Sequence, residues 1–138
     1  MLDEEVIQQL LDVARNSLQS SYSPYSSFPV GAALLDSSGK IWGGCNVENA
    51  SYGATVCAER TAILKSVSEG SQEFRAILVM TPTERPTPPC ALCLQVMAEF
   101  CKPEMPVYLA NETEVKSSFQ YSELLAYPFG PAYLLEEK

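Results

Sequence analysis

Two short stretches carry the residues best suited to chemistry, Cys57-Ala58-Glu59-Arg60 and Pro89-Cys90-Ala91-Leu92-Cys93. Cys90 and Cys93 stand three positions apart, so on a helix that starts at Cys90 both project from the first turn on nearly the same side and can share one metal ion. A third thiol, Cys57, must reach them from elsewhere in the chain. Three sulfur ligands without a fourth leave zinc an open coordination position, the arrangement that holds a reactive water and suits catalysis rather than structure. Glu59, two residues from Cys57, is a poor fourth ligand beside soft thiolates, but at a helix start it can lean over the same space and move protons. The remaining thiols, Cys45 and Cys101, read as core packing, since cysteine is among the most buried residue types. A fourth thiolate from either would make the site structural and leave Glu59 without a task.

These residues need rigid elements to hold them. Cys57 to Val67 reads as a helix with apolar positions at Ala62, Ile63 and Val67 and with Gly70 just past its end. A cysteine at its start lies in the field of the N-terminal dipole, which stabilises the thiolate. Arg60 is close enough to offset the net negative charge of three thiolates on Zn²⁺. Pro89 lacks an N–H and fits at or before a helix start, so the next helix runs from Cys90 to Cys101. Two strand-loop-helix units thus each open a helix with a thiolate.

The rest of the chain supplies a scaffold. Val6, Ile7, Leu10, Leu11, Ala14 and Leu18 recur as on an amphipathic helix from Asp3 to about Ser20, with Asp3, Glu4 and Glu5 at its positive end. Ser20 to Ser27 is a loop that Pro24 prevents from being helical. Phe28 to Leu35 and Lys40 to Asn46 read as a hairpin around Asp36-Ser37-Ser38-Gly39. Phe74 to Met80 is a buried strand. Pro106 to Asn111 and Glu114 to Ser118 are further strands, and Tyr121 to Leu125 is a short helix. The loop from Asn46 to Val56 gathers Asn46, Glu48, Asn49 and Tyr52 just before the first thiol, and such a concentration of polar and aromatic groups marks Tyr52 and its neighbours as candidates for binding. The aromatic tail from Tyr127 to Leu135 reads as irregular.

Composition narrows the function classes. A chain of 138 residues supports one domain, taken here as 1–138, with a sizeable core. The expected compartment is the cytoplasm, because no apolar run approaches the roughly 18 residues of a membrane span and the acidic start lacks a signal peptide's basic region. Five cysteines is an odd count, and the Cys-x-x-Cys spacing reads as metal binding rather than a disulfide framework. The net charge of −8, with 17 acidic residues against 9 scattered basic ones, offers no footprint for a polyanion. Nucleic-acid and membrane partners are therefore not expected.

Cys-x-Glu followed by Pro-Cys-x-x-Cys resembles the signature of zinc-dependent nucleobase deaminases, in the variant where Cys replaces the His ligand. The chain contains no His. Asn46-Val47-Glu48-Asn49-Ala50-Ser51-Tyr52, Cys57-Ala58-Glu59-Arg60-Thr61-Ala62, and Tyr22-Ser23-Pro24-Tyr25-Ser26-Ser27-Phe28 with Val30-Gly31-Ala32-Ala33-Leu34 are similar to the cytidine deaminases that act on free nucleosides. The resemblance extends to about Phe129. It implies an α/β, three-layer domain with a mixed sheet of about five strands between helices. It also implies one Zn²⁺ per chain on Cys57, Cys90 and Cys93, with Glu59 as proton shuttle in the hydrolytic deamination of cytidine and deoxycytidine. By the same resemblance Phe28 stacks on the base, Ala58 gives it a backbone contact, Asn46 and Glu48 hydrogen-bond the ribose, and Arg60 compensates the thiolates. Phe129 matches a C-terminal Phe that reaches a neighbour's site, which implies a homotetramer with shared active sites.

The chain departs from the family pattern in two places, and Leu124-Leu125-Ala126, where Leu-Leu-Pro is usual, makes the Phe129 match the looser one. Pro-Cys-Gly-x-Cys-Arg-Gln is the usual run, whereas Pro89-Cys90-Ala91-Leu92-Cys93-Leu94-Gln95 stands here. Ala91 adds a methyl near the metal, and Leu94 removes a cation. Two other readings follow: a deaminase of a modified or bulky cytosine nucleoside, and a catalytically silent zinc-stabilised interaction domain. Asn46 and Glu48 argue for an ordinary ribose, and Glu59 argues for catalysis.

Overall fold

Asp3 caps the first helix by accepting the Val6 N–H at 3.0 Å, and α1 spans Glu4–Leu18 with Leu10, Leu11, Ala14 and Leu18 buried. This geometry comes from a computed structural model that describes residues 2–135. Strands β1 (Gly31–Asp36) and β2 (Ile41–Cys45) form the hairpin, with Gly31 opposite Cys45 and Leu35 opposite Ile41. Gly39 turns the chain at φ 94°, a left-handed conformation that glycine adopts without steric cost.

Helix α2 (Ala58–Ser68) precedes β3 (Phe74–Met80), and α3 (Ala91–Phe100) precedes β4 (Pro106–Ala110) and β5 (Val115–Gln120). The short helices α4 (Tyr121–Leu124) and α5 (Ala132–Leu135) complete the described chain. The sheet order is β2-β1-β3-β4-β5. Within the sheet of the described residues only β3 and β4 pair in parallel, because α3 carries the chain across one face between them.

Alternation along the strands divides the core. Ala32, Leu34, Ile77, Val79, Val107 and Leu109 share one face with Ala58, Ala62 and Ile63 of α2 and Met97 of α3. Ala33, Leu35, Ala76, Leu78, Met80, Tyr108 and Ala110 pack on the other face against α1. The result is the expected three-layer α/β arrangement with five strands. No helix among the described residues is long and apolar enough to cross a membrane.

The boundaries differ from expectation where side chains compete for the backbone. Phe28, Pro29 and Val30 lie outside β1, because the Phe28 carbonyl and the Val30 N–H are both taken by the Asn46 side chain. At the other edge β5 continues to Gln120, which opens α4 through reciprocal hydrogen bonds with Glu123. The tail is not wholly irregular: Ala132–Leu135 makes one helical turn.

Candidate active site

Cys57 and Cys90 are the N-cap residues of α2 and α3, each in extended backbone and neither using its side chain to cap. Their carbonyls take the first intrahelical bonds, from Thr61 and Leu94, while both sulfurs remain free to turn toward each other. Cys93 projects from the first turn of α3 and is buried. The three Sγ atoms lie within 4.8 Å of one another, with Cys57 to Cys90 at 3.7 Å and Cys90 to Cys93 at 3.6 Å. A tetrahedral ion with Zn–S bonds near 2.3 Å needs sulfurs about 3.8 Å apart. The trio therefore fits Zn²⁺. Cys45 and Cys101 stand outside it, each half-buried, and Cys101, the C-cap of α3, packs against the core.

The electrostatics call for the same cation. A hydrogen bond with Cys93, working against burial and reinforced by Arg60 and Cys90, draws the Cys57 thiol down to about 5. That same bond, burial and the Glu59 charge push Cys93 far up. Three neighbouring thiols cannot all ionise without a positive charge among them. Arg60 supplies part of it, with its guanidinium 3.5 Å from the Cys57 sulfur and 3.3 Å from the Thr55 carbonyl. Its Nε is buried without a protein partner.

Glu59 follows on α2 and is only 4% exposed. Burial, with the Cys57 charge adding to it, lifts its carboxyl to about 7. A carboxyl in that range both takes and gives protons near neutral pH.

A cavity of about 280 Å³ opens beside these groups. Cys57, Ala58, Glu59 and Cys90 line it together with Phe28, Asn46 and Glu48. The structure thus brings together seven residues singled out from the sequence. Sequence reasoning missed Ser26, Val30, Thr55, Val79, Thr81, Thr87 and Pro88, which complete the wall. The serines of the loop before Phe28 were the one available signal. Asn46 is buried: its side-chain Oδ1 accepts from the Val30 N–H at 2.9 Å and from the Ser21 hydroxyl.

Two expected residues lie elsewhere in the protomer. Tyr52 sits on a 3₁₀ turn, edge-on to Tyr25 at 6.0 Å, and lines an adjoining depression that shares only Ser26, Glu48 and Thr55 with the cavity. Phe129 is 56% exposed, stacks on Tyr133 at 5.7 Å, and accepts the Gln95 amide through its carbonyl at 2.8 Å. It does not line its own chain's cavity. The two substitutions in the metal run have plain local settings. Ala91 is exposed, and Leu94 packs on the core while its carbonyl accepts the Tyr121 hydroxyl at 2.7 Å.

Thiolates at two helix starts, with a buried carboxyl beside them and a cavity in front, define a zinc-dependent hydrolytic site on a three-layer α/β fold. The profile described as "Cytidine and deoxycytidylate deaminase zinc-binding region" matches residues 4–109. The chain is 50% identical over 105 residues to the cytidine deaminase of Sporosarcina psychrophila, covering 76% of this chain and 77% of that one. It is 49% identical over 118 residues to that of Halalkalibacterium halodurans, covering 86% and 89%. The crystal structure of cytidine deaminase from Burkholderia pseudomallei superimposes with a TM-score of 0.83 at 42% identity, over 88% of this chain and 98% of that one. The chain belongs to the cytidine and deoxycytidylate deaminase family.

Proposed function

We infer that this protein is a zinc-dependent cytidine deaminase, converting cytidine and deoxycytidine hydrolytically to uridine and deoxyuridine as a step of pyrimidine salvage. The observation that carries this reading is the sulfur triangle of Cys57, Cys90 and Cys93, of which Cys57 and Cys90 line one cavity together with Glu59. The three thiolates would hold Zn²⁺, which when bound lowers the pKa of a water toward about 7 and so supplies the nucleophile for C4 of the ring.

The chain's own residues do the rest. Glu59 moves a proton to the ring nitrogen N3 and then to the departing amino group, a task its burial beside Cys57 suits. Phe28 offers a ring face to the base, and the Ala58 backbone meets the base edge. Asn46 and Glu48 recognise the sugar, with the Glu48 carboxylate accepting from a hydroxyl. Arg60 offsets the charge of the thiolates. Phe129 acts from a neighbouring subunit in a homotetramer, a reading supported by its exposure and its absence from its own cavity.

Purified protein should deaminate cytidine, followed as loss of cytidine absorbance, and should contain one zinc per chain. A chelator should abolish turnover and zinc should restore it. Active protein without zinc would overturn the metal mechanism. Inert protein with full zinc would leave the zinc-stabilised interaction domain.

A further inference from the structure

We propose that Ser26 is a positioning residue that joins sugar recognition to base stacking through a single hydroxyl. The proposal rests on the reading of Glu48 as the sugar's acceptor. An ionised carboxylate presents about four lone-pair sites. In this structure three are occupied from one loop: Oε1 accepts the N–H groups of Tyr25 at 2.9 Å and Ser26 at 3.1 Å, and Oε2 accepts the Ser26 hydroxyl. One site on Oε2 is left for a substrate. The Ser26 hydroxyl therefore fixes the rotation of the carboxylate and hence the direction of its last acceptor site.

The same oxygen faces the other way as well. Having donated to Glu48, the Ser26 Oγ accepts the Phe28 N–H at 3.1 Å, and the Phe28 carbonyl is bound by Asn46 Nδ2 at 2.9 Å. Both polar backbone groups of Phe28 are thus held by residues that line the cavity. Ser27, between them, is the only non-glycine residue among those described with positive φ, at 56°. Such a conformation is unfavourable for a side chain and persists where surrounding contacts hold it. The left-handed backbone at Ser27 lets one hydroxyl reach forward to Phe28 and across to Glu48.

Loss of the hydroxyl leaves the Oε1 contacts in place, frees Oε2 to rotate, and strips the Phe28 N–H of its acceptor. Glu48 would still bind a sugar, but less selectively. The discriminating readout is the ratio of kcat/KM for cytidine to that for 2′,3′-dideoxycytidine, which lacks the two ring hydroxyls. A purely structural role for Ser26 would move both substrates together.

The test is a double-mutant cycle over Ser26→Ala and Glu48→Ala, with zinc content measured throughout and Ser26→Thr as the conservative rescue. Ser26→Ala should reduce the cytidine to dideoxycytidine ratio about tenfold, the scale of one hydrogen bond, chiefly through KM and with zinc unchanged. Ser26→Thr should restore the ratio to within about threefold. In the Glu48→Ala background the ratio should no longer respond to Ser26→Ala. A ratio that Glu48→Ala lowers and Ser26→Ala leaves alone would overturn the role of Ser26. An equal response in both backgrounds would overturn it too, by placing the effect outside Glu48. A ratio that Glu48→Ala leaves unchanged would remove Glu48 from the sugar, and the proposal with it. If Ser26→Ala does not fold, the near-isosteric pair Ser26→Thr and Ser26→Val carries the same comparison.

Discussion

Gly44 on β2 lies so close to Ala58 on α2 that a Cβ at position 44 would stand 2.6 Å from the Ala58 carbonyl oxygen. The Ala62 nitrogen would be equally near, at 2.6 Å. Both obstacles are backbone, which cannot rotate aside. The first turn of α2 carries Cys57 at its cap and Glu59 inside it, so the missing side chain of Gly44 sets the distance between the sheet and α2. Gly44→Ala should cost about 1 to 3 kcal/mol of stability, the range for overpacking, and should lower zinc affinity as Cys57 moves from Cys90. Thermal unfolding and zinc titration check both effects. Gly53 has open space around its Cβ position and is the control that should tolerate Ala.

Glu59→Gln preserves shape while removing the ionisable carboxyl, and so tests the proposed proton shuttle. Zinc content should stay at one per chain, and kcat should fall by roughly 10² to 10⁴, as for a general acid-base residue. Turnover within a few-fold of the parent would remove Glu59 from the proton path.

Asp36 offers a pH test away from the metal. It is 2% exposed. Its Oδ1 accepts the Ser38 N–H at 2.9 Å, the Ser38 hydroxyl at 2.7 Å and the Lys40 N–H at 3.0 Å. Its Oδ2 accepts Trp42 Nε1 at 2.9 Å and the Ser71 hydroxyl at 2.8 Å. Burial works to raise its pKa, but the bonds from Ser38, Trp42, Ser71 and Lys40 hold it well below the usual carboxylate range. The folded state therefore favours the ionised form, and the resulting stability is present above the unfolded value of about 3.9 and lost as pH falls below it. Asp36→Asn should cost about 1.5 to 3 kcal/mol at neutral pH. The Tm difference between parent and variant should shrink on acidification below about pH 4; a constant difference would contradict the assignment.

Phe129 is exposed and lies outside its own cavity, so a role in catalysis requires a second chain. Phe129→Ala and Glu59→Ala should each give a nearly inactive oligomer, and mixed oligomers should regain a minority of complete sites. No recovery, with mixing confirmed by mass, would place Phe129 outside any shared site. A parent protein that is monomeric at assay concentration would exclude a shared site without any mixing.

Much of this protein was legible in the chain because local rules decided it. Asp3 before an apolar recurrence marked α1, the run from Phe74 to Met80 marked β3, and the thiols at 57 and 90 fell at helix starts where their chemistry works. The candidate ligands Cys57, Cys90 and Cys93 and the candidate proton carrier Glu59 were readable as candidates because ligand type and spacing are properties of a few consecutive residues. Where local signals misled, a distant side chain had claimed the backbone: Asn46 holds Phe28 and Val30 out of the strand that their composition favours.

The tertiary structure alone decided the distances between segments. Cys57 meets Cys90 because β1 and β3 are neighbours and α2 and α3 lie on one face of the sheet, and no spacing in the chain encodes that approach. The closeness of Gly44 to α2 and the clasp of Ser26 on Glu48 are of the same kind. Each depends on packing between residues far apart in sequence, and packing is set by the whole core at once rather than by any window of the chain.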